Sequence, residues 1–487
     1  MNKTVKYLSV FLIIAFLVAS CAPKAVEAPA DQAPEPAVSE DTAAESTTSE
    51  SEQPASEEVE IEEVTVLSIG SDWLLASLWD SAEGAETDLL KAFEEENGID
   101  VKFEALPEDT ARQKMMLDFS SHTGQYDIVT TDAWNLGTLA SAGYLEPLDD
   151  WADNKAADQY FSVDDFMPSN LDAGSYGGNF YTMPLYTFGP ALVYNKALFE
   201  EYDVKVPTNI EELEEAAEKL TLDTDGDGKT DVYGITMRAR AGEEPTIDVT
   251  GLAWAYGGSW FEGNANTVEL IKENKALPTV NSPEFIAGYE EYAKLLQNWG
   301  PPESSNWGWV ECMDALGQGK AAMHLAASSA YWYTRSTGTV PSEDIGIAPS
   351  PMGPGGHRMM NFFDLGLSIN ADSESKDAAW LVLQFMTSDE VQKAQAAGGI
   401  TSLPRISLVM SPDLLEIYPE EDLQMVLDTL ETAESEYMPK IPEYTEICNV
   451  LGVAASEVVA GSVSAEEALN AAQGQIEMIM EEAGYYE

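Results

Sequence analysis

The sequence predicts an α/β protein, because short apolar runs alternate with amphipathic segments at the spacing of strand–helix–strand units. Residues 64–69 and 101–103 have the composition of strands. The segment between them, 88–97, repeats apolar residues at helical spacing and ends at Gly98, as helices often do. Such units form right-handed crossovers and therefore parallel sheets.

The same unit continues along the chain. A helix is predicted at 111–119 and a strand at 127–130, followed by a helix that stops at Gly143. Ligands on parallel sheets bind at the carboxyl ends of the strands. Asp132 and Trp134 come directly after the third strand, so they are the first candidates for a binding site.

A second α/β region is predicted farther along the chain. Its segments predict strands at 191–194, 321–324 and 365–369, and helices at 210–220, 285–299 and 376–386. From residue 414 onwards the sequence predicts mostly helix. A chain of 487 residues with this pattern is long enough for two large α/β units.

The N-terminus has the features of an export signal followed by a tether. Two lysines precede an apolar run at 7–18 that is too short to span a membrane comfortably. The run ends in small residues before Cys21, which resembles the lipobox of bacterial lipoproteins; the alternative is an ordinary cleaved signal with a chance cysteine. We therefore expect a signal peptide over 1–20, an acylated Cys21, and a disordered acidic tether over 21–63.

The charge balance excludes several classes of function. The chain has 24 lysines and arginines against 86 aspartates and glutamates, a formal net charge of -62. Such a surface repels phosphate, so nucleic-acid partners and docking on anionic lipid through basic patches are not expected. The three histidines, His122, His324 and His357, lie far apart in the sequence, which argues against a zinc enzyme.

Several segments, read in order, resemble the extracellular solute-binding proteins of ABC importers, in the sugar-binding group. The segments that carry the resemblance are YDIV (126–129), AGYLEPLD (142–149), MP (183–184), LVYNKALF (192–199), VPT (206–208), GKAAM (319–323), GLSI (366–369), DAAW (377–380) and FMTS (385–388). Each motif alone is weak, but their order and spacing extend from about residue 64 to residue 486.

The resemblance implies a periplasmic-binding-protein-like fold, in which two discontinuous α/β lobes are joined by a hinge and enclose a ligand in the cleft between them. It places lobe 1 at 64–185 and 366–402, and lobe 2 at 186–365 and 403–487. The crossovers between lobes are expected near Tyr186, near residue 362 and near Ser402.

One passage resembles polyol binders within this family. ARQK at 111–114 and GQYDIV at 124–129 look like a passage of the sorbitol and mannitol binders. Residues 326–329, however, lack the Asp-Ala-Thr usually found after the GKAAM strand in that group. The resemblance therefore leaves open whether the ligand is a sugar, an oligosaccharide or a sugar alcohol.

Sugars present apolar C–H faces and a rim of hydroxyls, so aromatic rings and charged groups near the cleft are candidate contacts. On the family's pattern, the candidate ligand-binding residues are Trp73, Asp132, Trp134, Tyr186, Trp254, Trp332, Asp364 and Arg405. For each of them the alternative is ordinary packing, or an ion pair between the lobes in the case of Arg405.

An acidic loop at 223–231, with the sequence DTDGDGKTD, matches the first nine positions of an EF-hand-like calcium loop. The candidate metal ligands are the side chains of Asp223, Asp225, Asp227 and Asp231 and the backbone carbonyl of Lys229. Position 12 is Gly234 rather than glutamate, so the usual bidentate ligand is missing from the loop. We expect a structural Ca²⁺ here; the alternative is an acidic surface turn.

Two cysteines, Cys312 and Cys448, lie in the exported part of the chain. Whether they form a disulfide depends on their distance, which sequence spacing does not give. Both possibilities stay open at this point.

The resemblance implies a substrate-binding lipoprotein of an ABC importer. It would capture a carbohydrate or polyol and deliver it to the permease subunits. The protein would act on the outer side of the bacterial cell membrane, to which its N-terminal lipid would anchor it. We expect a monomer without enzymatic activity. Two alternatives are a secreted hydrolase that uses paired carboxylates and a structural lipoprotein that binds no small molecule.

Overall fold

The computed structural model describes residues 62–69, 89–106, 108–152, 165–359, 363–434 and 437–486. The predicted signal peptide, the acylation site Cys21, nearly all of the predicted tether and the candidate Trp73 lie outside these residues. The first strand begins at Glu62, two residues before the predicted start of the folded part, because Glu62 and Glu63 pair with the second strand.

The described strands are β1 (Glu62–Ile69), β2 (Ile99–Leu106), β3 (Ile128–Asp132), β4 (Ser175–Tyr176), β5 (Asn179–Phe180), β6 (Met183–Phe188), β7 (Pro190–Asn195), β8 (Tyr233–Thr236), β9 (Ala321–Ala327), β10 (Ile345–Pro349) and β11 (Phe363–Ile369).

The described α-helices are α1 (Leu89–Asn97), α2 (Glu108–Ser121), α3 (Leu136–Ser141), α4 (Asp149–Ala152), α5 (Pro168–Ala173), α6 (Lys196–Glu201), α7 (Ile210–Lys219), α8 (Glu244–Ala255), α9 (Val268–Asn274), α10 (Pro283–Trp299), α11 (Trp309–Gly317), α12 (Ser329–Thr337), α13 (Lys376–Met386), α14 (Asp389–Ala397), α15 (Ile406–Val409), α16 (Pro412–Ile417), α17 (Glu420–Glu431), α18 (Tyr444–Val459) and α19 (Ala465–Glu482). Every helix and strand predicted above is present among them, with ends shifted by a few residues.

The first sheet has five strands in the order β2-β1-β3-β11-β6. Strand β1 runs parallel to β2 and β3, as the strand–helix–strand pattern predicted. The expectation of a wholly parallel sheet is wrong, because β11 is antiparallel to both β3 and β6. Strand β11 enters the sheet after the chain has returned from the second sheet, so no local crossover sets its direction.

The second sheet has four strands in the order β10-β7-β9-β8. Strand β7 is antiparallel to β10 and β9, and β8 is parallel to β9. The four helices α8, α10, α18 and α19 share one apolar cluster with this sheet. Helices α8 and α10 pack closely at Gly288, where an added Cβ would lie 2.3 Å from the Cα of Ala253.

A single residue, Gly189, connects β6 of the first sheet to β7 of the second. A Cβ on Gly189 would lie 2.4 Å from the carbonyl carbon of Thr429, so the end of α17 packs directly on this crossover. The backbone N–H of the neighbouring Thr187 donates to the carbonyl of Ser402 (3.1 Å). The passage between the sheets thus lies three residues beyond Tyr186; the boundaries proposed for the lobes stay a prediction.

A carboxyl group of helix α10 lies beside a carboxyl group of helix α7. Glu291 is buried, and its Oε2 accepts a hydrogen bond from the hydroxyl of Tyr256 (3.1 Å). Glu214 of α7 lies beside it, and Lys294 contacts both carboxyl groups. Burial, followed by the charge of Glu214, raises the pKa of Glu291 from 4.5 to about 7.

This raised pKa predicts a decline in stability with rising pH. Protonated Glu291 makes its full contribution to the free energy of unfolding below about pH 4.5. This contribution falls as the pH rises to about 7 and is lost above it. The free energy of unfolding of Glu291→Gln should therefore exceed that of the wild type by about 1–2 kcal/mol at pH 8. At pH 4.5 the two proteins should have nearly the same free energy of unfolding. Urea unfolding across this range, with the exposed Glu290→Gln as control, measures the effect. The same pH slope in both variants would contradict the prediction.

Candidate functional site

The carboxyl end of β3 carries the first two candidates, Asp132 and Trp134, and Asp132 is buried. Asp132 is 0% exposed. Its Oδ2 forms an ion pair with the guanidinium of Arg112 from α2, and its Oδ1 accepts the backbone N–H of Asn135 (3.1 Å). Both carboxylate oxygens are thus bound within the protein, and this pair anchors α2 to the end of the strand. A ligand contact by Asp132 stays a prediction.

The structure brings Trp134 and Trp254 into one apolar cluster, each only 8% exposed. Trp134 follows a strand of the first sheet, whereas Trp254 lies in the last turn of α8, which covers the second sheet. This cluster therefore contains one predicted aromatic residue from each of the two sheets' surroundings, and a ligand contact by either ring stays a prediction.

The indole of Trp254 is held by two polar side chains. Its Nε1 donates to Oε2 of Glu434 (2.9 Å), and its ring lies 4.5 Å from the imidazole of His357, between ring centres. Nδ1 of His357 is 2.9 Å from the same oxygen. Neither Glu434 nor His357 is among the ligand-binding residues that the sequence predicts. Neither residue lies in a recognisable motif, and they meet Trp254 only through the fold.

Two further candidates lie in a different apolar environment. Trp332 belongs to another cluster and donates from Nε1 to the hydroxyl of Ser402 (3.1 Å). Tyr186 is fully buried in that cluster, where burial raises its pKa and the side-chain amide of Gln395 donates to its hydroxyl. These contacts give both side chains a packing role, and a ligand contact by either stays a prediction.

Arg405 is buried against an aromatic ring. Its guanidinium lies 4.3 Å from the ring centre of Phe166, and its Nη2 donates to the carbonyl of Thr387 (3.2 Å). Burial lowers the pKa of Arg405. Asp364 pairs through its backbone with Thr187 in the first sheet; the placement of its side chain, like Trp73, lies outside what the structure describes. The roles predicted for all three stay predictions.

Contacts near α3 join two halves of the molecule. We call the elements around the first sheet the first half and the elements around the second sheet the second half. The hydroxyl of Thr138 donates to the carbonyl of Pro442 (2.7 Å), and the hydroxyl of Thr445 donates to Oδ1 of Asn135 (2.6 Å). Lys440 reaches the carboxylate of Asp172 on α5 (2.8 Å). The elements around the first sheet and the segment that leads into α18 therefore touch along this side.

The acidic loop folds as a compact turn. Oxygens of Asp223, Asp225 and Asp227 all lie within 4.8 Å of one another, on exposed side chains. Backbone N–H groups of Gly226 (2.7 Å) and Gly228 (2.8 Å) donate to the carboxylate of Asp223, and both glycines have positive φ, which favours glycine. Three such oxygens suit a hard cation such as Ca²⁺.

The remaining predicted metal ligands are arranged less favourably. The carboxylate of Asp231 accepts hydrogen bonds from the hydroxyl (2.6 Å) and backbone N–H (2.8 Å) of Thr224. The hydroxyl contact is the main reason that the pKa of Asp231 is lowered. The ammonium of Lys229 lies 3.1 Å from Asp227. Calcium binding by this loop stays a prediction.

The two cysteines are separate, buried thiols. Neither Cys312 nor Cys448 takes part in a disulfide in this structure. Burial raises the pKa of both thiols, which keeps them protonated and unreactive. The possibility of a disulfide between them, left open by the sequence, is not realised.

A family model described as bacterial extracellular solute-binding protein matches residues 79–393. The chain belongs to this family. It is also similar to a mannitol-binding protein of Pseudomonas aeruginosa, with 26% identity over 415 residues that cover 82% of this chain and 90% of the relative.

Two solved structures show the same architecture. An ABC transporter solute-binding protein from Agrobacterium radiobacter K84 in complex with ribitol has a TM-score of 0.75 and 29% identity, and the match covers 86% of this chain and 98% of that one. A second, from Agrobacterium vitis S4 with bound D-mannitol, has a TM-score of 0.73 and 26% identity, with 87% and 99% covered.

These comparisons confirm the predicted family and the periplasmic-binding-protein-like fold of the solute-binding protein. They also confirm an extracytoplasmic location, since the family is extracellular. None of the helices in the described residues combines the length and the apolar composition needed to cross a membrane.

The pair formed by Arg112 and Asp132 predicts a large loss of stability when its charge is removed. Asp132→Asn keeps an acceptor for the N–H of Asn135 but leaves the guanidinium of Arg112 without its counter-charge. We expect the free energy of unfolding in urea to fall by about 2–4 kcal/mol. Asp172→Asn removes an exposed ion pair with Lys440 and should cost less than about 1 kcal/mol. Equal losses in the two variants would show that the buried pair has no special role.

Proposed function

We propose that this solute-binding protein captures a sugar or sugar alcohol, with linear polyols as the preferred class, and delivers it to the permease of an ABC importer. The observation that supports this most strongly is the indole of Trp254, which donates to the carboxylate of Glu434 and belongs to the same apolar cluster as Trp134. The ligands named for its relatives, mannitol and ribitol, are linear polyols.

The proposed capture depends on the chemistry of both faces of a polyol. Aromatic rings bury the C–H surface of the ligand, while charged and amide groups form hydrogen bonds with its hydroxyls. Closure of the two halves excludes water, which strengthens each polar contact in the cleft. The predicted lobes, 64–185 with 366–402 and 186–365 with 403–487, would move as units around the crossovers. The ligand is bound and released unchanged.

The proposal extends to how the protein is held outside the cell. Acyl chains on Cys21 would anchor it to the membrane, and the acidic segment up to residue 63 would hold the folded part away from the lipid surface. We propose that it acts as a monomer, which gives each permease one ligand-loaded partner.

Removal of the Trp254 indole should weaken ligand binding without unfolding the protein. A thermal-shift screen with ribitol, D-mannitol, D-sorbitol and maltose identifies the ligand, and calorimetry of Trp254→Ala then measures the loss. We expect about 1–3 kcal/mol, or roughly 5- to 150-fold in Kd. The control is Trp309→Ala, whose ring packs on Tyr333. Unchanged affinity in Trp254→Ala, or the absence of binding to the whole panel by wild type, would overturn the proposed site or function respectively.

We also propose that the loop at 223–231 binds Ca²⁺ in a structural role. The support is the convergence of Asp223, Asp225 and Asp227, whose oxygens lie at distances that one ion can bridge. Removal of Ca²⁺ by a chelator should then lower the melting temperature, by an amount corresponding to about 2.7 kcal/mol when free Ca²⁺ exceeds its Kd a hundredfold. Asp225→Ala should abolish the chelator effect, whereas Glu218→Ala on the neighbouring helix should keep it. A melting temperature insensitive to chelator would favour an acidic surface turn.

A further inference from the structure

The carboxylate of Glu434 is fixed by two aromatic side chains. Its Oε2 accepts a hydrogen bond from Nε1 of Trp254 (2.9 Å), and Nδ1 of His357 lies 2.9 Å from the same atom. Because an ionised carboxylate can only accept, the imidazole carries its proton on Nδ1 in this contact. The two rings also pack on each other, with 4.5 Å between their centres. Both donors reach the same oxygen, Oε2, and they fix the orientation of the carboxylate.

Glu434 comes shortly after the helix that packs on the passage between the two sheets. It follows the end of α17 by three residues, and α17 packs its backbone at Thr429 and Leu430 onto the crossover residue Gly189. A short distance farther along the chain, Lys440 and Ile441 contact α5 and α3 on the other half of the molecule. The described part of the segment from 432 to 445, which excludes 435–436, therefore contacts elements of both halves, and Glu434 lies next to Trp254.

The exposure of Glu434 distinguishes it from Asp132, the carboxylate that the sequence selected. The side chain of Glu434 is 38% exposed although it is held by two partners. Asp132 is 0% exposed and directs its two oxygens to Arg112 and to the backbone of Asn135. A fixed carboxylate that is still accessible, next to a tryptophan of the proposed site, can accept hydrogen bonds from a ligand. A fully buried one cannot do so without a rearrangement.

We propose that Glu434 is a ligand-recognition residue of this protein, which accepts hydrogen bonds from hydroxyls of a linear polyol bound against Trp254. This inference rests on the proposed function. An ionised carboxylate has several lone pairs and no donor, so it selects ligands that present hydroxyl donors on neighbouring carbons. Hydrogen bonds to a charged acceptor are stronger than those between neutral groups, so the residue contributes affinity as well as orientation.

The first test is titration calorimetry of wild type and Glu434→Gln with ribitol and D-mannitol. Glutamine keeps the shape and an acceptor for the indole of Trp254 but removes the charge. We expect Kd to rise about 10- to 100-fold, with the melting temperature of the unliganded protein near that of wild type. The matched control is Glu443→Gln, which removes a carboxylate on the same segment that accepts from the hydroxyl of Tyr485 (2.7 Å). Its Kd should stay within about threefold of wild type.

The second test separates direct contact from support of Trp254. Monodeoxy derivatives of whichever polyol binds wild type are titrated into wild type and Glu434→Gln. If Glu434 contacts a hydroxyl, loss of that hydroxyl should cost wild type about tenfold or more and cost the variant little, because the two changes remove the same hydrogen bond. Equal losses at every position would show that Glu434 only supports Trp254, and would overturn the inference.

The outcomes distinguish the two proposals. If wild type binds neither polyol nor the sugars of the panel, the proposed function fails and this inference fails with it. If wild type binds and Glu434→Gln binds equally well, only the role of Glu434 is overturned. Should the glutamine variant fold poorly, Glu434→Asp shortens the side chain with its charge intact, and the same loss of affinity is expected from the altered reach.

Discussion

The close packing of α17 on Gly189 is the constraint on which the arrangement of the molecule depends. One residue, Gly189, connects β6 of the first sheet to β7 of the second, and a side chain there would overlap the backbone of Thr429. Because no side chain separates them, the C-terminal end of α17 is held against the passage between β6 and β7. Glu434 follows this end directly, and so the same contact that shapes the crossover also positions a carboxylate next to Trp254.

The described part of the segment from 432 to 445, which excludes 435–436, then links the proposed ligand contact of Glu434 to contact between the two halves. Beyond Glu434 it reaches the first half through Lys440 and through the backbone of Ile441 and Pro442, before α18 returns to the helices over the second sheet. Any change in the separation of the halves must therefore alter these contacts. Glu434 and the residues that contact the first half are close neighbours in the chain. Closure of the predicted cleft can therefore affect Glu434 directly, without a network of residues between distant sites.

The acidic composition places the few cations of the chain in informative positions. With 24 basic residues against 86 acidic ones, the chain has a formal net charge of -62, which favours solubility. Two arginines are instead used inside: Arg112 pairs with Asp132 at the end of β3, and Arg238 pairs with Asp248 beneath α8. A buried carboxylate needs such a partner, because an isolated charge in the interior is costly. Two of the buried carboxylates are thus neutralised by an arginine inside the protein.

The sequence by itself determined the order and type of the helices and strands, the family and the acidic character, because these depend on local periodicity, short motifs and composition. It also predicted ligand contacts for Trp134 and Trp254, which follow the end of a strand and occupy the end of a helix; these contacts stay predictions. Only the tertiary structure decided that β11 runs antiparallel, that Arg112 neutralises Asp132, and that Glu434 meets Trp254 across 180 positions of the chain. Contacts between residues so far apart leave no periodic trace in the sequence, since they arise only when the chain crosses between its two sheets.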